Sequence, residues 1–380
     1  MSSFYLDNNS TTRIFDEVID EMAACYRRGY LNPASQHSSG REARRVLESA
    51  RDSIAANLGA NLAAPNLDRV IFTSGGTESN NLAIRGLVAS PGNVIVSSIE
   101  HPSVLEPADA LKSAGLEVRQ LPVSQSGHIS IEDLEAAVDD ETRLVCVMFA
   151  NNEIGTLQPI REISTLCHDR GVPFHCDAVQ VVGKVEIDFR SLGMTSLSFS
   201  AHKFHGPRGV GGLLLRHGVN LQPFMVGGSQ QLGLRPGTES IAHVVGMRKA
   251  LEMMLDRSST WPEQMRTLRD QLENKLVHQC DCVVIGSEPR MPHTTNVAFR
   301  GLDRQALVMA LDLAGVECST GSACTSGSSE PSHVVVATGV EKSLVEGSIR
   351  FSLGLDLIDS DIDFLADRIL SVVNNLRSFK

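Results

Sequence analysis

The residues able to do chemistry in this 380-residue chain sit in short polar segments, each placed just after an apolar run. The first is 74-SGGTESNN-81, after 69-RVIFT-73. Two glycines and a threonine entering a helix bring backbone N–H groups and a hydroxyl to one point, which suits a single phosphate. The segment lacks the GxxxxGK[ST] spacing of a nucleotide loop and a well-placed GxGxxG. Its other reading is an ordinary tight turn. Glu100-His101-Pro102 follows 93-NVIVSSI-99, 151-NNEIGT-156 follows 143-RLVCVMFA-150, and Asp177 and Gln180 follow 173-PFHC-176. After 196-SLSF-199 comes 200-SAHKFHGPRGVGG-212. Singly, each group is more often structural: a lone histidine is usually satisfied or exposed, and Asn-Asn is usually a turn. Together they point to one site, because ligands of open α/β sheets bind beyond the carboxyl ends of the strands.

Pyridoxal phosphate would use this set. It needs a lysine for its Schiff base, an acid opposite the pyridine nitrogen, a phosphate cradle and a flat group on its ring. Lys203 offers the amine and Asp177 the acid; alternation places His175 and Asp177 on one strand face and Cys176 on the other. The 74-SGGT-77 turn, Ser200 and His202 offer the cradle, and His101 the stacking partner. Against this, Lys203 could be a solvated surface lysine, although its flanks, Ser-Ala-His and Gly-Pro-Arg-Gly, do not resemble an exposed helix face. Cys324 stands in 318-CSTGSACTSGSSEPSH-333, a stretch almost without bulky apolar side chains. It reads as half of a disulfide, a metal ligand, a chance surface thiol or a tethered nucleophile.

The elements that must position these groups follow from periodicity. Strand candidates are 69–73, 93–99, 118–123, 143–150, 173–178, 196–200 and 210–216, several apolar on both faces, as in strands covered by helices on both sides. Helical patterns lie between them. Ser130-Ile-Glu-Asp133 caps 131–138, and 159–171 puts Ile160, Ile163 and Cys167 on one face. This alternation predicts an α/β layer with a largely parallel sheet. After about residue 260 the pattern changes to helices over 261–279, 303–315 and 361–378, with strand-like 295–300 and 348–354. The expected division is a large domain over 16–259 and a smaller α+β domain built from 1–15 and 260–380.

A net charge of −11 argues against a general nucleic-acid or acidic-membrane binder. The N-terminus reads as neither signal nor transit peptide, and no run approaches a membrane span. A cytoplasmic protein is expected. The eight cysteines are scattered without a CxxC pair, which reads as reduced thiols; Cys280-Asp-Cys282, the one close pair, lacks zinc-site spacing. No metal site is expected, and Cys318 reads as structural.

The motifs YLDNNSTT, NPASQHSSGREAR, FTSGGTESNN, EHPSV, ANNEIGT, HCDAVQ, SAHKFHGPRGVG, GLRPGTES, STGSACTSGSSEPSHV and SIRFSLG occur in the order found in cysteine desulfurases. The chain resembles that family, part of the class V aminotransferase group of fold-type I pyridoxal phosphate enzymes, over residues 4 to about 354. The long Ser/Gly loop resembles the NifS/IscS-like branch. Two departures are small: Ala201 stands where the family usually has Gly, and Asn9-Ser10 where it usually has Ala-Ala. The resemblance implies a fold-type I transferase in which Lys203 forms the imine with pyridoxal 5'-phosphate, Asp177 pairs with the pyridine nitrogen and Gln180 bonds the ring hydroxyl. It implies that His101 stacks on the ring and moves protons, and that Gly76, Thr77, Ser200 and His202 hold the phosphate. Thr238 would reach that phosphate from the partner subunit of a homodimer. Asn152 and Arg350 would bind the carboxylate of L-cysteine, and Cys324 would take its sulfur as a persulfide, leaving alanine. The sulfur would pass to an acceptor protein, for example in iron–sulfur cluster assembly. The alternatives are a relative that uses the cofactor without Cys324, such as a selenocysteine lyase or an aminotransferase, and a non-catalytic protein on the same fold.

Overall fold

The structure, a computed structural model, describes residues 3–88, 91–321 and 330–378. After a short β1 (Phe4–Tyr5), seven strands build the main sheet: β2 (Arg69–Thr73), β3 (Asn93–Ser97), β4 (Glu117–Leu121), β5 (Thr142–Cys146), β6 (Phe174–Asp177), β7 (Ser196–Ser200) and β8 (Gly211–Leu215). Their order is β2-β8-β7-β6-β5-β3-β4. β3, β6, β7 and β8 are buried along their whole length, which is why their sequences are apolar or small on both faces.

The sheet is parallel from β7 to β4, but β8 runs antiparallel to both β7 and β2. The connection from β7 to β8 has no long crossover helix, and a parallel return needs one. The other six strands therefore run the same way and deliver their carboxyl ends to one side. The run 143–150 is shorter as a regular strand than its sequence suggests. Beyond Cys146 it still follows β6, with Val147 N–H donating to the His175 carbonyl at 3.3 Å and Phe149 N–H to that of Asp177 at 2.8 Å. This carries Asn151 and Asn152 to the carboxyl end of the sheet.

Helices cover the sheet as their patterns require. Ile160–Asp169 buries Ile160, Ile163 and Cys167. Ser130 Oγ accepts the Asp133 N–H at 3.0 Å and caps Ile131–Ala137.

The C-terminal part has its own antiparallel sheet, formed by β9 (Cys282–Ile285), β10 (Thr294–Phe299) and, beyond β11 (Val316–Glu317), β12 (Ser348–Ser352); the order is β12-β10-β9. β1 pairs in parallel with β11, and Asp7 bridges Ser352, so the N-terminal arm is held by this region. A buried ion network secures it further: Arg290 forms a two-pronged pair with Glu273 at 2.7 and 2.6 Å. No helix among the described residues is long and apolar enough to cross a membrane.

Candidate active site

A cavity of about 340 Å³ opens at the carboxyl ends of the main strands. Gly76, Thr77, His101, Asn152, Asp177, Gln180, Ser200, His202, Lys203 and Arg350 all line it. Thr238 does not; it is exposed elsewhere. Cys324 lies outside the described residues.

Asp177 ends β6 with its carboxylate turned into the cavity, and two donors hold it. Asn80 Nδ2 donates to Oδ2 at 2.7 Å, and Val179 N–H to Oδ1 at 2.9 Å. Asn80, in the helix Gly76–Leu87, also donates to Ser103 Oγ at 2.8 Å and accepts from His175 Nε2 at 3.0 Å. His175 and Asp177 therefore do share one face, joined through Asn80. Burial alone pushes the His175 pKa down to about 3, so it is a neutral donor.

Ser103 fixes His101. Its backbone N–H donates to His101 Nδ1 at 3.1 Å, and its hydroxyl lies 2.8 Å from the same nitrogen. Neutral His101 therefore carries its proton on Nε2. Burial is the main cause lowering its pKa; Lys203 and His333 add to this, while Asp177 opposes it.

The Lys203 amine lies 2.6 Å from the Asn9 carbonyl and 2.7 Å from that of Ser10. Gln180 Nε2 donates to the same Asn9 carbonyl at 3.0 Å. The N-terminal arm thus holds both Lys203 and Gln180.

The turn before the helix Gly76–Leu87 forms the cradle. Glu78 accepts the Ser74 N–H at 2.6 Å and pairs with Arg235 at 2.7 Å, which fixes the turn. The approach is close: a Cβ on Gly76 would meet Val179 Cγ2 at 2.7 Å, and one on Gly211 would meet the Gly75 Cα at 2.7 Å. Ser200, His202 and Arg208 border the same space. Burial, then Lys203 and Arg208, bring the His202 pKa down to about 4.

Across the cavity Arg350, in β12, is 1% exposed. It pairs with Asp7 and donates to the Asn152 carbonyl at 3.0 Å. Beside it Glu153 accepts the Ser332 hydroxyl; burial raises its pKa, against Ser332 and Arg350.

Pyridoxal phosphate fits this donor set. Gln180 Oε1 is buried and has no hydrogen-bond partner among the described residues, as a ring hydroxyl would require. Arg350 Nε is likewise buried and has no partner among the described residues, ready for a carboxylate. The glycines clear a space at a helix N-terminus where a phosphate is favoured. Sequence reasoning missed Asn80, Ser103, Asn9 and Arg208. All four stand within the family motifs, but an Asn inside a helix or a Ser after Pro carries no signal of its own.

The model for the Aminotransferase class-V family matches residues 4–365. A cysteine desulfurase IscS of Dictyoglomus turgidum is 40% identical over 380 residues, covering 98% of this chain and 95% of that protein. A cysteine desulfurase NifS of Azotobacter vinelandii is 39% identical over 383 residues, covering 100% of this chain and 94% of that protein. Among solved structures, a NifS-like protein superposes with a TM-score of 0.91 at 34% identity, covering 98% of this chain and all (100%) of the other. The chain belongs to the class-V aminotransferase family, within its pyridoxal-phosphate-dependent cysteine desulfurases.

Proposed function

We propose that this enzyme takes the sulfur of L-cysteine onto Cys324, releases alanine and passes the sulfur to an acceptor protein. The observation that carries this reading is that Lys203, Asp177 and Arg350 face one cavity, an amine, an acid and a guanidinium on different walls. When bound, pyridoxal phosphate supplies an aldehyde for a lysine amine and a ring that accepts electrons from the substrate carbon.

The roles of the chain's own groups follow. Lys203 holds the cofactor and takes and returns a proton at Nζ. Asp177, oriented by Asn80 and Val179, would keep a proton on the pyridine nitrogen. Gln180 would meet the ring hydroxyl, and His101 would cover the ring and move protons at Nε2. Gly76, Thr77, Ser200 and His202 would hold the phosphate, joined by Thr238 from the second subunit of a homodimer. The fork of Arg350 grips the cysteine carboxylate, assisted by Asn152. The Cys324 thiolate attacks the cysteine sulfur, so an S–S bond forms as the Cβ–S bond breaks and its electron pair stays with carbon. Protonation of that carbon yields alanine. Residues 16–259 form the cofactor domain, and 1–15 with 260–380 the domain bearing Cys324. A cytoplasmic setting and an iron–sulfur scaffold as acceptor complete the reading.

Mass spectrometry after incubation with L-cysteine is the test. A sulfur adduct on the Cys324 peptide is expected, together with loss of persulfide and retention of cofactor in Cys324→Ser. Unimpaired cysteine turnover in that variant would sink the assignment. Lys203→Ala is expected to abolish the visible absorbance.

A further inference from the structure

Behind Lys203 lies a buried pair with no part in the sulfur transfer itself. Lys184 is 4% exposed and His293 is 1% exposed. The Lys184 Nζ is 3.3 Å from His293 Nε2, and that nitrogen is 2.8 Å from Asn9 Oδ1.

The protons on this chain of contacts can be assigned. Asn9 Nδ2 faces the Asn152 carbonyl at 3.0 Å and Thr294 Oγ1 at 2.9 Å. A carbonyl only accepts, so the Asn9 amide cannot be turned over. Its Oδ1 therefore points at His293, and His293 Nε2 must carry the proton. His293 Nδ1 is buried with no partner among the described residues, and the ring packs against Trp261 at 5.2 Å between centroids. A second proton would have no acceptor there.

The consequence passes to Lys184. An ammonium would set N–H against N–H, whereas a free amine can turn its lone pair to Nε2–H and share that proton, at the longer distance, with Asn9 Oδ1. Among the described residues Lys184 has no other partner, and neither it nor His293 meets a carboxylate. The groups facing Lys184 are His293, Lys203, Arg350, His202 and His205; those facing His293 also include Arg269. Burial first, then Lys203 and Arg350, bring the Lys184 pKa down to about 7.

We propose that Lys184 and His293 are positioning residues: an uncharged Lys184 amine and the Nε2–H form of His293 fix Asn9, whose carbonyl sets the place of the Lys203 amine. This rests on Lys203 being the cofactor lysine.

The test uses the cofactor-loaded full chain and two readouts. Lys184→Met is melted beside the parent from pH 6 to 10. A lysine held uncharged must give up on folding the proton that it carries in the unfolded chain, and this cost fades as pH rises, so parent stability should rise relative to the variant between about pH 7 and pH 10, by several degrees. A gap that stays constant over this range overturns the uncharged amine, since a merely structural lysine would not move it. Second, the visible band is titrated without cysteine. His293→Gln keeps an N–H for Asn9 and should retain the parent midpoint. His293→Leu should shift it by about half a pH unit or more, roughly a threefold change in the proton equilibrium. Equal midpoints in parent, Gln and Leu forms overturn the positioning role; if the Leu form does not fold, the band of Lys184→Met is titrated in its place, and a midpoint equal to the parent's overturns that role. A parent protein with no visible band would instead defeat the assignment of Lys203.

Discussion

Asn80 Nδ2 lies 2.7 Å from Asp177 Oδ2, so the helix that begins at the cradle also orients the acid at the other end of the site. The same amide takes the Nε2–H of His175 and reaches Ser103, which sets His101. One residue thus relates the cradle, the acid and the ring-facing histidine. Asn80→Ala removes a hydrogen bond to a charged group and leaves His175 Nε2–H without its acceptor. About 2–3 kcal/mol of stability should be lost, with weaker cofactor retention. Thermal melting and absorbance during dialysis measure both. Asn80→Asp should retain cofactor still less, because it places a second carboxylate against Asp177.

Arg350→Lys keeps the charge and loses the fork. The amine cannot hold Asp7, the Asn152 carbonyl and a substrate carboxylate in the one planar geometry that the guanidinium offers. A loss of about 2 kcal/mol in binding is expected, which raises KM for L-cysteine roughly 30-fold. kcat should change less, because the fork acts in binding. Steady-state kinetics separate the two; an unchanged KM would remove Arg350 from the carboxylate.

Much of this site was legible because strand-end chemistry is written locally. The segments around Gly76, His101, Asp177 and Lys203 each follow an apolar run, and a parallel sheet brings such ends to one side. The capped helix at Ser130 and the buried face of Ile160, Ile163 and Cys167 were legible for the same reason: their signal lies within one turn or two. Three features were not. The reversed direction of β8 depends on which neighbours it finds, and a strand's sequence looks alike either way. Asn80 and Asn9 act one step away from the reacting groups, through amide orientations that exist only once distant segments meet. The run 143–150 keeps its apolar character after leaving regular pairing, because burial there outlasts the ladder. Cys324 lies outside the described residues.

The cradle glycines should differ in what they tolerate. A Cβ on Gly76 meets the Val179 methyl at 2.7 Å, a side chain with some room to turn. A Cβ on Gly211 meets the Phe199 carbonyl oxygen at 2.6 Å and the Gly75 Cα at 2.7 Å, both backbone. Overpacking costs about 1–3 kcal/mol. Gly76→Ala should sit at the low end and Gly211→Ala at the high end or beyond. Because Val179 N–H also holds Asp177, Gly76→Ala should weaken pyridoxal phosphate binding by about tenfold while the fold survives. Equilibrium titration with the cofactor checks the first variant and melting the second.

Glu100 gives a pH signature with a definite sign. Its carboxyl is fully buried, accepts from Met148 N–H at 2.7 Å and Ser97 Oγ at 2.8 Å through Oε1, and leaves Oε2 without a partner among the described residues. Burial raises its pKa to about 8, against the two hydrogen bonds. The folded protein therefore holds a proton here that the unfolded chain has already lost between about pH 4.5 and pH 8. Stability contributed by this proton is complete below the unfolded value and falls as pH rises to the folded value. Glu100→Gln has the same shape, keeps an acceptor for Met148 and Ser97, and never ionises. Relative to the parent it should gain stability from pH 5 to pH 8, by a few kcal/mol, and gain nothing further above that. Denaturant melts of both proteins at pH 5, 6.5, 8 and 9 read this directly. A stability difference independent of pH would mean that Glu100 is ionised in the folded protein.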